Sequence, residues 1–196
     1  MGKIEQNKAD KRKRLLESLN ESIIKRGIAD TSIDEICDQA GIAKGTFYLY
    51  YRNKEALVRE LTLQRSRQLL QEAFDSTSGP ASSSAGFVER VISMAGFMID
   101  RMDQDHDLLK VVRRDFTWPI TAEDFLHSDD PLINSIHQAV QEYSQKSSQD
   151  SAAVFLKLFS LLNMIATSAY SSIIDGFPTD IGHLKPYLFE IIRSSL

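Results

Sequence analysis

The chain has 196 residues, 42% of them hydrophobic and 26% charged, with a formal net charge of −4 at pH 7. This is the composition of a globular protein with a real core, in one large domain or a small one plus a medium one. A single cysteine excludes an internal disulfide or multi-cysteine metal site, no apolar run approaches the roughly 20 residues that span a bilayer, and the charged N-terminus lacks the apolar stretch of a secretory signal. The expected compartment is the cytoplasm, with no membrane partner.

Charge is unevenly spread. Residues 1–54 hold 11 Lys/Arg and 8 Asp/Glu, a net +3, whereas the remainder holds 12 and 19, a net −7. A basic end on an acidic body suits a nucleic-acid-binding module attached to something else. Solvation of a frayed terminus would explain the same lysines equally well.

In chain order, Leu16, Leu19 and Ile23 give a helical stripe that ends at Gly27. Ser32 with Glu35 forms a capping box, and Ile33, Ile36, Cys37 and Ala40 follow at helical spacing. A third short helix is expected over Ala43–Arg52. Asn53 caps a fourth over 54–75, with Leu57, Val58, Leu61, Leu69, Leu70 and Phe74 as its apolar positions. Residues 76–86, STSGPASSSAG, have linker composition. Beyond them, Phe87–Met102 and Asp105–Phe116 read as helices, the second interrupted by Trp118-Pro119. Further helices are expected over Pro131–Gln145 and Ser148–Asp175, the latter apolar around much of its girth. Leu184, Leu188, Ile191 and Ile192 mark a last one. No strand alternation or repeat is found. The reading is all-α, about nine helices, with a first domain over 1–54 and a second over 55–196.

Residues 31–57 carry the functional signal. Two short helices meet at Gly41, where a tight turn favours glycine's positive φ, and Ile42 plugs the seam behind it. Phe47 and Tyr51 are four apart and anchor the second helix inward. Gly45, Thr46, Tyr48, Leu49 and Arg52 then face outward. A helix so presented fits the major groove of DNA, with the preceding helix bracing it. A glycine inside it costs about 1 kcal/mol against Ala, which close approach to DNA would justify.

The run from Gly41 to Glu55, GIAKGTFYLYYRNKE, with Gly27 and Thr31-Ser32-Ile33 upstream, resembles the helix-turn-helix of the TetR family of ligand-responsive bacterial transcription regulators. The resemblance covers about residues 10–60. It implies base contacts from Lys44, Gly45, Thr46, Tyr48 and Leu49, and phosphate contacts from Thr31, Ser32, Tyr50 and Lys54. Ala43 stands where the family often has Ser, and Leu49 where it is often polar or aromatic; a thymine methyl is a plausible partner for Leu49.

The resemblance also implies a body that forms a homodimer through the last two helices and encloses a pocket for a small-molecule effector. Candidate pocket residues are Phe87, Met94, Phe97, Met98, Val111, Arg113, Trp118, Phe125, Phe159, Asn163 and Tyr170, which together suggest a mainly apolar effector. Taken singly, methionines and aromatics at helical spacing are usually core, and the pocket reading rests on the set. Cys37 reads as a small core residue. His106, His127, His137 and His183 lack metal-ligand spacing, and no cofactor is implied. An enzyme would have to use Asp105-His106-Asp107, but neighbours on a helix point apart and no nucleophile motif accompanies them. The expected function is a DNA-binding regulator, a repressor released from operator DNA by its effector. Activator or corepressor-dependent action, or a protein-interaction module without DNA binding, are the alternatives.

Overall fold

The computed structural model describes residues 2–77, 86–112 and 129–196. Among them are nine α-helices and no strand: α1 Lys3–Arg26, α2 Ile33–Ala40, α3 Lys44–Phe47, α4 Lys54–Ser76, α5 Phe87–Gln104, α6 His106–Val112, α7 Pro131–Ser147, α8 Ser151–Asp175 and α9 Ile181–Ser195. The all-α reading is met. Residues 78–85 of the expected linker, and the Trp118-Pro119 interruption, lie outside the described residues.

The helix ends follow the capping chemistry of the sequence. Ser32 accepts the N–H of Glu35 at 3.2 Å, and the Glu35 carboxylate accepts the Ser32 N–H at 3.0 Å, closing the capping box. Asn53 accepts the N–H of Ala56 at 2.9 Å at the start of α4. Two boundaries differ from expectation. α8 begins at Ser151 because Ser148, at φ 55°, ends α7 in the left-handed region and Asp150 then caps the new helix. α3 is shorter than Ala43–Arg52: after Phe47 the backbone tightens, with Leu49 and Tyr50 N–H bonding back only three residues, to Thr46 and Phe47.

The chain divides into two compact units, Met1–Arg65 with Asp107–Thr117, and Ser66–His106 with Trp118–Leu196. The core of the first is built from Leu15, Leu19 and Ile23 of α1, Ile36, Cys37 and Ala40 of α2, Ile42 and Phe47 at the turn and α3, and Leu57, Val58 and Leu61 of α4. Leu15 rather than Leu16 leads the α1 stripe; Leu16 is half-buried at its edge. Val111 of α6 joins this core, and its carbonyl accepts the buried Thr62 hydroxyl at 3.2 Å. Val111 therefore does not belong to a pocket of the second unit, as the sequence suggested.

In the second unit α9 packs on α5 and α8, and α7 packs on α8. Leu70, Leu132, Ile133, Val140 and Val154 form one buried cluster, and the Phe87 ring stacks on Tyr143 at 4.4 Å. α8 corrects an expectation. Its 25 residues include a stretch of mean hydropathy 1.6, long and apolar enough by length and composition to cross a membrane. Only 28% of that stretch is buried. Leu156, Phe159 and Ile174 of α8 stand exposed, as do Tyr187 and Ile191 of α9.

Candidate nucleic-acid interface and ligand cavity

α3 is presented from below by Phe47, which is fully buried, and by Tyr51, whose ring lies 5.7 Å from it. With those two aromatics turned inward, the residues between them are forced outward. Leu49 is 79% exposed and Tyr48 51%, the Tyr48 ring standing edge-on to Phe47. Gly45 is exposed, and a Cβ built there would meet nothing within 4 Å. Its own chain thus leaves the space above Gly45 open. Thr46 and Tyr50 are half-buried, and Arg52 is exposed.

Lys44 opens α3 and its ammonium lies 2.6 Å from the Asp34 carboxylate of α2. That partner raises the Lys44 pKa, so the side chain stays charged and tethered beside the exposed face. Asp34 was not singled out by sequence reasoning, since an acid in a first helical turn reads as a dipole partner.

The turn itself is held by a residue the sequence hid. Gly41 adopts φ +62°, and the Arg14 guanidinium donates to the carbonyls of Ala40 and, at 3.1 Å, Gly41. Arg14 thereby satisfies the carbonyl end of α2 from α1. A Cβ at position 41 would approach the Arg14 Nη2 atom to 2.7 Å, so a side chain there would be strained by the positive φ and would displace the Arg14 guanidinium. Ser18 of α1 donates to the Ile36 carbonyl at 2.9 Å and adds a second tie between α1 and α2. Nothing in the run KRKR distinguishes Arg14 from its basic neighbours.

Two of the residues expected at phosphates have partners within the chain. Thr31 is 2% exposed and its hydroxyl donates to the Gly27 carbonyl at 2.8 Å, so its side chain is part of the α1–α2 connection. Lys54 directs its ammonium at the carbonyls of Ile28 and Thr31, 3.0 and 2.8 Å away. Those carbonyls offset the unfavourable position of a cation at a helix start. Ser32 is exposed, with its hydroxyl engaged in the capping box. Cys37 is buried, and burial pushes its thiol pKa up, as befits a core residue.

The second unit contains a cavity of about 100 Å³ among α4, α5, α7 and α8. Of the candidate pocket residues Phe87, Met94 and Met98 line it, together with Leu70, Val140 and Leu162. Phe97, Phe159, Asn163 and Tyr170 are not among its lining residues: Phe159 is 41% exposed, and the Asn163 amide bonds back to the Phe159 carbonyl at 2.8 Å. Arg113, Trp118 and Phe125 lie outside the described residues. Arg90, which the sequence reading passed over, is the one charged residue among the described residues of the lining. No cluster of metal-ligating side chains occurs among the described residues.

Comparison with known proteins fits this geometry. Residues 15–61 match the family described as bacterial regulatory proteins, tetR family. The HTH-type transcriptional regulator YdgC of Bacillus subtilis is 30% identical over 104 residues, 52% of each chain. The fatty acid metabolism regulator protein of the same organism is 31% identical over 64 residues, 33% of each. The match thus spans about half the length of YdgC and less of the other. Two solved structures share the fold over nearly the whole chain. One is a TetR family transcription regulator from Marinobacter aquaeolei, with TM-score 0.60, 18% identity and 97% of both chains covered. The other is the regulator FadR of Bacillus subtilis in complex with stearoyl-CoA, with TM-score 0.58, 19% identity, and 93% of this chain and 98% of that one covered. Residues 15–61 thus match the helix-turn-helix of the tetR family, and the all-α chain as a whole shares the fold of solved TetR-family regulators.

Proposed function

We propose that this regulator is a homodimeric repressor that leaves its operator when a largely apolar effector enters the cavity of the second unit. The observation that carries the DNA side is the exposure of Leu49 and Tyr48, 79% and 51%, on a helix pinned by a fully buried Phe47. Two adjacent apolar side chains so exposed beside a tethered lysine suit a major-groove floor, where methyl groups and acceptor atoms alternate. Lys44, Gly45, Thr46, Tyr48 and Leu49 read bases in this proposal. Tyr50, Ser32 and the exposed Arg52 lie at the flanking phosphates, which position the head.

Pairing of two copies is supported by the exposed apolar residues of α8 and α9, Leu156, Phe159, Ile174, Tyr187 and Ile191. The effector is supported by the apolar lining of the cavity and by the likeness to a fold that holds stearoyl-CoA in Bacillus subtilis FadR. Release is a population shift: the effector must bind the DNA-incompetent arrangement better than the competent one. The protein acts in the cytoplasm, where its DNA is.

The test begins with fragments selected from host genomic DNA on the purified protein. Retardation should weaken steeply with salt, as phosphate neutralisation requires, and host metabolite extract should release the fragment. Retardation that no extract relieves would overturn the effector step and leave DNA binding in place. An absence of salt-dependent binding to every fragment would overturn the operator reading.

A further inference from the structure

We infer that the effector is an amphiphile with a single anionic group and that Arg90 recognises that group. This rests on the effector-release reading above and narrows it to a chemical class.

Among the described residues that line the cavity, Arg90 alone is polar; the others are Leu, Ile, Val, Ala, Met or Phe. Arg90 lies on α5 one turn from both Phe87 and Met94, so it shares the helix face that forms the cavity wall. Its guanidinium carbon sits 5.9 Å from the centre of the Phe74 ring, itself a lining residue. The arrangement of the neighbouring charges leaves it uncommitted. Arg67 pairs with Asp130, Arg101 with Glu72 and Asp105, and Arg193 with Glu89, the residue next to Arg90. Among the described residues Arg90 has no carboxylate partner.

An arginine whose stem covers an apolar surface usually places its head in water. Here the head lies over an aromatic ring beside a cavity whose other described lining residues are apolar, where an incoming anion would form a charge-assisted, bidentate pair. The same lining argues against other ligand classes. A sugar, a nucleobase or a peptide would bring several polar groups into a site that offers them no described partner, which is costly. A cation would be repelled. A hydrocarbon chain with one anionic end meets the site on both counts. The cavity, at about 100 Å³, is smaller than the roughly 300–1,000 Å³ of typical ligand pockets. A chain of any length must therefore part its walls, and Met94 and Met98 are the residues that repack most readily.

Two sources supply that chemistry: a free alkyl carboxylate, and an acyl thioester whose carrier bears phosphates. The full-length protein is titrated with decanoate, decanol and decanoyl-coenzyme A by displacement of an apolar fluorescent probe, alongside Arg90→Gln and Arg90→Lys. Decanoate is expected to bind the parent chain about tenfold more tightly than decanol, a difference of about 1.4 kcal/mol. Arg90→Gln should erase that ratio while leaving decanol affinity unchanged, which also shows that the variant is folded, and Arg90→Lys should restore part of it. An Arg90-dependent gain seen only with decanoyl-coenzyme A would identify the anion as the carrier's phosphate. Equal affinity for decanoate, decanol and decanoyl-coenzyme A, or a ratio that survives in Arg90→Gln, overturns the role of Arg90 and leaves an apolar effector standing. Binding of none of the three, with retardation of genomic DNA intact, overturns this cavity as the effector site.

Discussion

Lys54 occupies the first turn of α4, where the helix dipole disfavours a cation, and two carbonyls of the Ile28–Thr31 connection take up its charge. Its task on this geometry is to fasten that connection. Lys54→Ala should lower unfolding free energy by about 2 kcal/mol, the usual range for hydrogen bonds to a charged group, measured by urea denaturation. A variant as stable as the parent would return the lysine to the phosphates. Glu35 works at the same scale through titration. The Ser32 backbone N–H, the Ser32 hydroxyl and Arg26 hold its carboxyl below the ordinary range. Its contribution to stability is therefore complete above the ordinary carboxylate pKa and is lost as pH falls through the lowered folded value. Thermal midpoints followed from about pH 7 to about pH 3 should drop less steeply for Glu35→Gln than for the parent chain. Parallel curves would mean that the capping box adds nothing through charge.

At the scale of elements, α2 and its turn were legible because every determinant is local: the box of Ser32 and Glu35, the apolar spacing of Ile36, Cys37 and Ala40, and the glycine at the turn. The outward direction of Tyr48 and Leu49 was legible from the inward pull of Phe47 and Tyr51. What closes the turn was not, because Arg14 reaches it from 26 residues away and no periodicity records such a contact. The same holds for Val111, 49 residues from the Thr62 hydroxyl it accepts, and for the hydrogen bonds of Thr31 and Lys54 to main-chain carbonyls, residue types that suit a phosphate equally well. In the second unit, apolar residues at helical spacing marked the helices but not which of them would face one another, so of the expected cavity residues only Phe87, Met94 and Met98 line it. Gly45 permits a sharp test of α3. With open space above it, Gly45→Ala should raise stability by about 0.5–1 kcal/mol through helix propensity and weaken binding to a selected genomic fragment, read by titration at fixed salt. A stabilised variant with undiminished affinity would show that DNA does not approach position 45 closely.

For the whole molecule, α8 and α9 leave apolar side chains in solvent to an extent that a lone chain does not need. Replacing Leu156 and Tyr187 with Glu should leave the monomer's helical content intact and shift sedimentation from dimer to monomer. A parent chain that sediments as a monomer at micromolar concentration would remove the pairing proposed for this face. The position of α6 has a different consequence, for recombination. Its Val111 fills the core of the first unit and supplies the acceptor for the buried Thr62 hydroxyl. A chimera that borrows a reading head from a relative by crossing over inside α4 would keep the wrong partner for both. The exchangeable helix-turn-helix unit is a discontinuous one, residues 1–65 together with the segment that begins at Asp107.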